Sequence, residues 1–109
     1  LISGDDPSYL GYAAHGGAGV ISVTSNVAPE AMVALHDAVQ AGDLATARIW
    51  QDRLIALHKG LFLDNSPSPT KYALSKLGYC TEEVRLPLSQ TREDVRPHID
   101  AAMASAGIS

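Results

Sequence analysis

Ser3-Gly4-Asp5-Asp6-Pro7 and Ser22-Val23-Thr24-Ser25-Asn26 follow directly on the short apolar runs Leu1-Ile2 and Val20-Ile21, which read as two strand ends. In parallel α/β folds the reactive groups gather at the carboxyl ends of strands, so these two segments are the candidates for the rim of a site. The second leads into a helix whose first backbone N–H groups are free, a place where a phosphate or carboxylate could bind. Asp5 and Asp6 invite a reading as paired carboxylates for acid–base work or metal binding. Adjacent residues at a strand-to-helix turn point in different directions, however, and Asp6 is suited to the N-cap of a helix that Pro7 opens. No other Asp, Glu or His stands nearby at ligand spacing, so no metal is expected there.

The remaining chemistry-bearing residues carry less. Gly16-Gly17-Ala18-Gly19 looks like a phosphate cradle, but it follows a helix and precedes a strand, the reverse of the order that aims N–H groups at phosphate. A structural use is expected. His15, His36, His58 and His98 fall on separate helices without a metal spacing and are expected at the surface or at helix ends. Lys59, Lys71 and Lys76 lie in helical segments away from any strand end, so none is placed to act as a nucleophile. Cys80 is the one cysteine; it cannot staple the chain, suits a reducing compartment, and is expected partly buried where a helix meets a loop. No catalytic residue is expected within these 109 residues.

The elements that would position the two polar segments are legible. Leu1-Ile2-Ser3 is a strand stub, a brief helix ends near His15, and Gly16 fits a left-handed C-terminal cap. Val20-Ile21-Ser22-Val23 is a β-branched run suited to a buried parallel strand, which makes the pattern β-α-β. Pro29 opens a helix carrying Met32, Leu35 and Val39, and Gly42 stops it. Asp43 can cap a long helix with Ala47, Trp50, Leu54, Leu57 and Leu61 along one seam. Beyond a break at Asn65-Ser66-Pro67-Ser68-Pro69, Tyr72, Ala73, Leu74 and Leu77 predict a helix closed by Gly78, followed by a loop from Cys80 to Gln90. Thr91-Arg92-Glu93-Asp94 resembles a capping box, and Val95, Ile99, Ala102, Met103 and Ala106 form the stripe of a last helix. The chain thus divides near Gly42 into a βαβα piece, residues 1–42, and a helical region, residues 43–109. Two strands make a poor sheet, so further strands are expected on the exposed edge, and the chain reads as the end of a larger protein.

Composition narrows the function classes. At 46% hydrophobic and 18% charged residues the chain is that of an ordinary folded protein. A net charge of -4 with basic residues scattered singly leaves no footprint for nucleic acid. No apolar run reaches the roughly 20 residues needed to span a bilayer, and no signal peptide is visible, so a cytoplasmic location without membrane partners is expected.

Leu1 to Pro7 and Gly19 to Pro29 together resemble the C-terminal third of the dihydrodipicolinate synthase family, and the likeness continues through Asp52-Arg53-Leu54, Leu57-His58-Lys59, Leu61-Phe62, Pro69, Lys71, Leu77-Gly78 and Val84 to Leu88. The resemblance implies an α/β fold, the last two βα units of a (β/α)8 barrel followed by a C-terminal three-helix appendage. Leu1 to Ser3 would then be the seventh strand and Val20 to Val23 the eighth. It implies a lyase in which a lysine forms a Schiff base with pyruvate and the enamine attacks L-aspartate 4-semialdehyde, on the route to lysine and diaminopimelate, in a cytoplasmic homotetramer without a cofactor. That lysine, the catalytic tyrosine and a threonine-tyrosine proton relay would lie upstream of Leu1. The substrate-binding residues carried over are Gly4, whose backbone would border the pocket, Ile21, which would contact pyruvate, and Asp5 as a rim residue. A glycine and an apolar wall suit a pocket for a short keto acid. Two departures stand out: Asp64 to Pro69 replaces a usual Glu-Pro-Asn-Pro segment, and Ser25 stands where alanine is common. Two other readings stay open, a related pyruvate-dependent aldolase of sialic acid or keto-sugar-acid type and a non-catalytic helical interaction module using the seam from Ala47 to Leu61.

Overall fold

In the computed structural model, which describes residues 1–108, the seam on the long helix has become the centre of the molecule. The elements are β1 (Ile2–Ser3), α1 (Tyr9–Ala14), β2 (Gly19–Val20), a single 3-10 turn (Thr24–Asn26), α2 (Pro29–Gln40), α3 (Leu44–Gly60), α4 (Ser68–Lys76) and α5 (Arg96–Ser105). Asp43 caps α3 by accepting the Thr46 N–H at 3.1 Å and the Thr46 hydroxyl at 2.6 Å. From that start Ala47, Leu54, Leu57 and Leu61 are fully buried, with Trp50 packed beside them. The seam faces α2, which presents Met32, Leu35 and Ala38, and α5, which presents Ile99, Ala102 and Met103. Gly60 brings α3 close to α5, since a Cβ there would stand 3.4 Å from that of Ala102. Each such leucine contributes about 1.5–3 kcal/mol on burial, and the hydrophobic core runs unbroken from Tyr9 on α1 to Ala106 beyond α5.

The sheet is smaller than the β-branched run suggests. β1 and β2 are parallel, with Ile2 opposite Gly19 and Ser3 opposite Val20. Pairing ends where the Ile21 N–H donates to the Ser3 carbonyl at 2.8 Å, because the chain after Ser3 turns away at Gly4 and offers Ser22 and Val23 no further partner. A strand of Val20 to Val23 therefore shrinks to Gly19–Val20. Glycine works in the connection as expected: Gly16 takes φ +95 after α1, and Gly17 leaves room for the Tyr12 ring, with which any Cβ would collide.

Three local expectations are corrected. Asp6 is not the N-cap of α1; the helix begins at Tyr9 after Ser8, which makes no side-chain cap, and the Asp5 carboxylate closes the preceding turn by accepting the Ser8 N–H at 3.1 Å and the Ser8 hydroxyl. Thr91 forms no capping box: α5 starts at Arg96, Val95 precedes it without a side-chain cap, and Thr91 is buried while its carbonyl accepts the Arg96 Nε–H at 3.1 Å. Cys80 is exposed rather than partly buried, because Gly78 and Tyr79 carry the chain outward past the end of α4. The unusual segment around Asp64 has a structural use. Its carboxylate accepts the Asn65 N–H at 2.8 Å and the Arg92 N–H at 3.0 Å. Those two bonds hold it below the usual carboxylate range and tie the α3–α4 connection to the approach of α5.

Candidate functional site

The carboxyl ends of β1 and β2 lie side by side, so the segments Gly4 to Asp6 and Ile21 to Asn26 leave the sheet as neighbours. Gly4 is exposed, and a Cβ there would meet nothing within 4 Å. Ile21, one residue beyond β2, is 77% exposed. Asp5 is exposed too, but its carboxylate is turned onto Ser8, and its own N–H donates to the Ser3 hydroxyl at 3.1 Å. The structure thus sets Gly4 and Ile21 on one end of the sheet with open space around them, while Asp5 is engaged in shaping the turn.

Asp6 has the more demanding position. It is 3% exposed, and one carboxylate oxygen accepts the N–H groups of both Val23 and Thr24 at 3.0 Å. A single buried side chain from the end of β1 therefore fastens the loop beyond β2, using N–H groups that a 3-10 turn leaves unpaired. The same loop is tightened from within. The Ser25 N–H donates to the Ser22 hydroxyl at 2.9 Å, and the Ser25 hydroxyl donates to the Ser22 carbonyl at 2.9 Å. An alanine at position 25 could make only the first of these bonds.

His58 was expected at the surface and is instead 1% exposed, in α3. Its Nδ1 shares a hydrogen bond with the Thr24 hydroxyl at 2.7 Å, and Thr24 is itself buried. Burial pushes the His58 pKa below the ordinary histidine value, against the pull of the Asp6 and Asp5 carboxylates, so the ring is neutral near pH 7. A signal for this was available: position 58 follows Leu54 by four and precedes Leu61 by three, which puts it on the buried stripe. Elsewhere on the histidine set, His36 bonds the Tyr9 hydroxyl through Nδ1, whereas His98 and His15 are exposed.

A recess of about 330 Å³ beside β2 is lined by Tyr9, Val20, Ser22, Ser25, Met32 and His36. A larger cavity of about 1020 Å³ lies between α2, α3 and the end of α4, with Pro29, Trp50, Arg53, Leu77 and Tyr79 in its wall; Gly4, Asp5 and Ile21 line neither this cavity nor the smaller recess. The strand ends are preferred as the site because parallel α/β folds gather their reactive groups at the carboxyl ends of strands, where segments 4–6 and 21–26 are joined through Asp6. Among the described residues no three His, Cys, Asp or Glu side chains cluster to hold a metal ion, and no helix is long and apolar enough to cross a membrane. Lys59 lies on α3, and Lys71 and Lys76 lie on α4, so none of the three stands at a strand end.

Known proteins resemble this arrangement throughout. Residues 1–106 match the Dihydrodipicolinate synthetase family. The 4-hydroxy-tetrahydrodipicolinate synthase of Phenylobacterium zucineum is 57% identical over 108 residues, covering 99% of this chain and 37% of its own length. That of Hyphomonas neptunium is 56% identical over 107 residues, covering 98% of this chain and 36% of its own length. The crystal structure of the chloride-inhibited dihydrodipicolinate synthase from Acinetobacter baumannii, complexed with pyruvate, superimposes with a TM-score of 0.93 at 35% identity, over 99% of this chain and 37% of that one. The chain therefore spans a little over a third of the length of these relatives. Similarity of sequence along nearly every residue, and of fold at the same extent, leads to one conclusion: the chain belongs to the dihydrodipicolinate synthetase family.

Proposed function

We propose that this chain is the C-terminal segment of a 4-hydroxy-tetrahydrodipicolinate synthase, a lyase that condenses pyruvate with L-aspartate 4-semialdehyde in lysine and diaminopimelate biosynthesis. The observation that carries this reading is the family match over residues 1–106. In this reading residues 1–42 are the last two βα units of a (β/α)8 barrel, residues 43–109 are its C-terminal helical region, and the protein works as a cytoplasmic homotetramer. The paired parallel strands and the exposed Ile2 and Ile21 support it, since a two-stranded parallel sheet leaves an open edge on each strand for further strands of a barrel.

The chemistry assigns this segment a share of the pocket and no reacting group. A lysine amine elsewhere in the barrel adds to the pyruvate carbonyl and releases water, giving an imine; loss of a methyl proton gives an enamine, whose carbon attacks the aldehyde carbon and forms the new C–C bond. Gly4 lets the pocket approach the backbone, Ile21 supplies an apolar wall against the bound keto acid, and Asp5 stands at the rim. That the Acinetobacter baumannii protein holds pyruvate agrees with this assignment.

The test is a chimera in which the matching segment of the Phenylobacterium zucineum protein is replaced by this chain. Borohydride with pyruvate is expected to label the chimera and to leave the isolated 109-residue chain unlabelled. The chimera should consume aspartate semialdehyde in preference to sugar aldehydes. Labelling of the isolated chain, or a chimera that fails to fold or to turn over, would sink the reading.

A further inference from the structure

α3 reaches both strand-end loops with two side chains placed seven residues apart. Gln51 donates its Nε2–H to the Pro7 carbonyl at 2.8 Å, in the loop after β1. His58, two turns further along the same face, meets the Thr24 hydroxyl at 2.7 Å, in the loop after β2. Asp6 joins the two loops to each other through the Val23 and Thr24 N–H groups. Ile21 is thus bracketed: its own N–H is held by Ser3, and two residues later the chain is anchored to Asp6 and, through Thr24, to α3. α3 is in turn locked by the buried seam against α2 and α5.

We infer that His58 and Gln51, with Thr24 and Asp6, are positioning residues for the strand-end pocket, so that a helix outside the sheet sets the place of the Ile21 wall. The inference rests on the functional reading above. None of the four touches substrate in it; each acts through the loop that carries Ile21 or Gly4. Buried hydrogen bonds of this kind hold a loop because the alternative is an unpaired polar group away from water. The energy available from one such bond corresponds to a change of about tenfold in binding.

The experiment uses the chimera described above and compares steady-state kinetics per borohydride-labelled site. Thr24→Val exchanges a hydroxyl for a methyl of the same shape, and His58→Leu removes the ring nitrogen. Both are expected to raise the KM for pyruvate about tenfold, with kcat per labelled site and the KM for the aldehyde little changed. Thr24→Ser and His58→Asn, which place a polar atom at the same point, should restore the KM for pyruvate to within about threefold of the parent. Should His58→Leu fail to fold, Thr24→Val alone decides the matter. An unchanged KM for pyruvate in Thr24→Val, or an equal rise in the two conservative variants, overturns the inference. An unmutated chimera without activity counts against the functional reading instead, so the two failures are told apart.

Discussion

The packing of α3 between α2 and α5 and the end of the β1–β2 sheet are built from similar side chains and reach opposite outcomes. On α3, Leu54, Leu57 and Leu61 lose all contact with solvent because helices of the same chain lie on both sides. At the sheet, Ile2 and Ile21 stay exposed because each strand has a single partner and, among the described residues, no element covers the end. Helical packing is local and can be finished by a short piece of sequence, whereas a parallel sheet draws its strands from distant parts of a chain. The contrast also explains why the polar groups of the strand ends are held from the helical side: α3 is the rigid surface available to them.

The sharpest way to break this comparison is at the closed end. Leu57→Ala should lower the unfolding free energy by about 2–5 kcal/mol in urea titrations, the usual cost of a cavity in a packed core. A loss below about 1 kcal/mol would mean that the seam collapses around the gap and is no more rigid than the sheet end.

Next in size is an effect of pH at the junction between the two regions. Burial lowers the pKa of His58 in the folded protein below its unfolded value of about 6.5. The unfolded chain therefore takes up a proton that the folded one does not, and stability falls as pH drops through that value, levelling off below the folded-state pKa. Thermal melts between pH 7.5 and 5 should show this fall in the parent and lose it in His58→Asn, which keeps a polar atom opposite Thr24 but cannot titrate (pH values approximate, set about the histidine range). Asp43 and Asp64 act in a separate window. Hydrogen bonds from Thr46 and from Arg92 and Asn65 hold them below the ordinary carboxylate range, so their contributions persist above it and disappear only at still lower pH. A melt that falls equally in parent and variant would remove His58 from the junction.

The smallest effect belongs to the open end. Ile21→Ser should change the unfolding free energy of this chain by no more than about 0.5 kcal/mol, as expected of an exposed position without packing partners. The same substitution in the chimera should weaken pyruvate binding, because only there would the side chain have something to face. A large loss of stability in the isolated chain would show that Ile21 belongs to its own core.

Much of the helical region could be read from residue types. The α3 seam, the α5 stripe and the Asp43 cap depend on contacts within one helix or on spacing along it, and all three are present. Gly42 and Gly78, which end α2 and α4 with φ +76 and +83, were legible for the same reason. The last helix shows the limit of the method: its stripe was visible, while its supposed capping box was not formed, because Thr91 is drawn into the interior. At the strand ends Ser3 to Asp6 and Ser22 to Asn26 could be singled out by their place after the strands, whereas Ile21 came only from the family resemblance. What stayed hidden was the function of Asp6 and His58. Asp6 looked like a cap because Pro7 follows it, yet its partners are 17 and 18 residues away.

The sequence by itself determined where α2 and α4 end, where α3 begins, which face of the long helices is apolar, and the family to which those patterns point. These follow from 3.6-residue periodicity, capping and backbone freedom, all of which act over a few neighbouring residues. Only the tertiary structure decided that the second strand is just Gly19–Val20, that Asp6 reaches the loop after it instead of capping α1, and that His58 sits buried against Thr24. Each of those outcomes depends on which distant group arrives first at a polar atom with no water left to satisfy it, and spacing along the chain carries no measure of that.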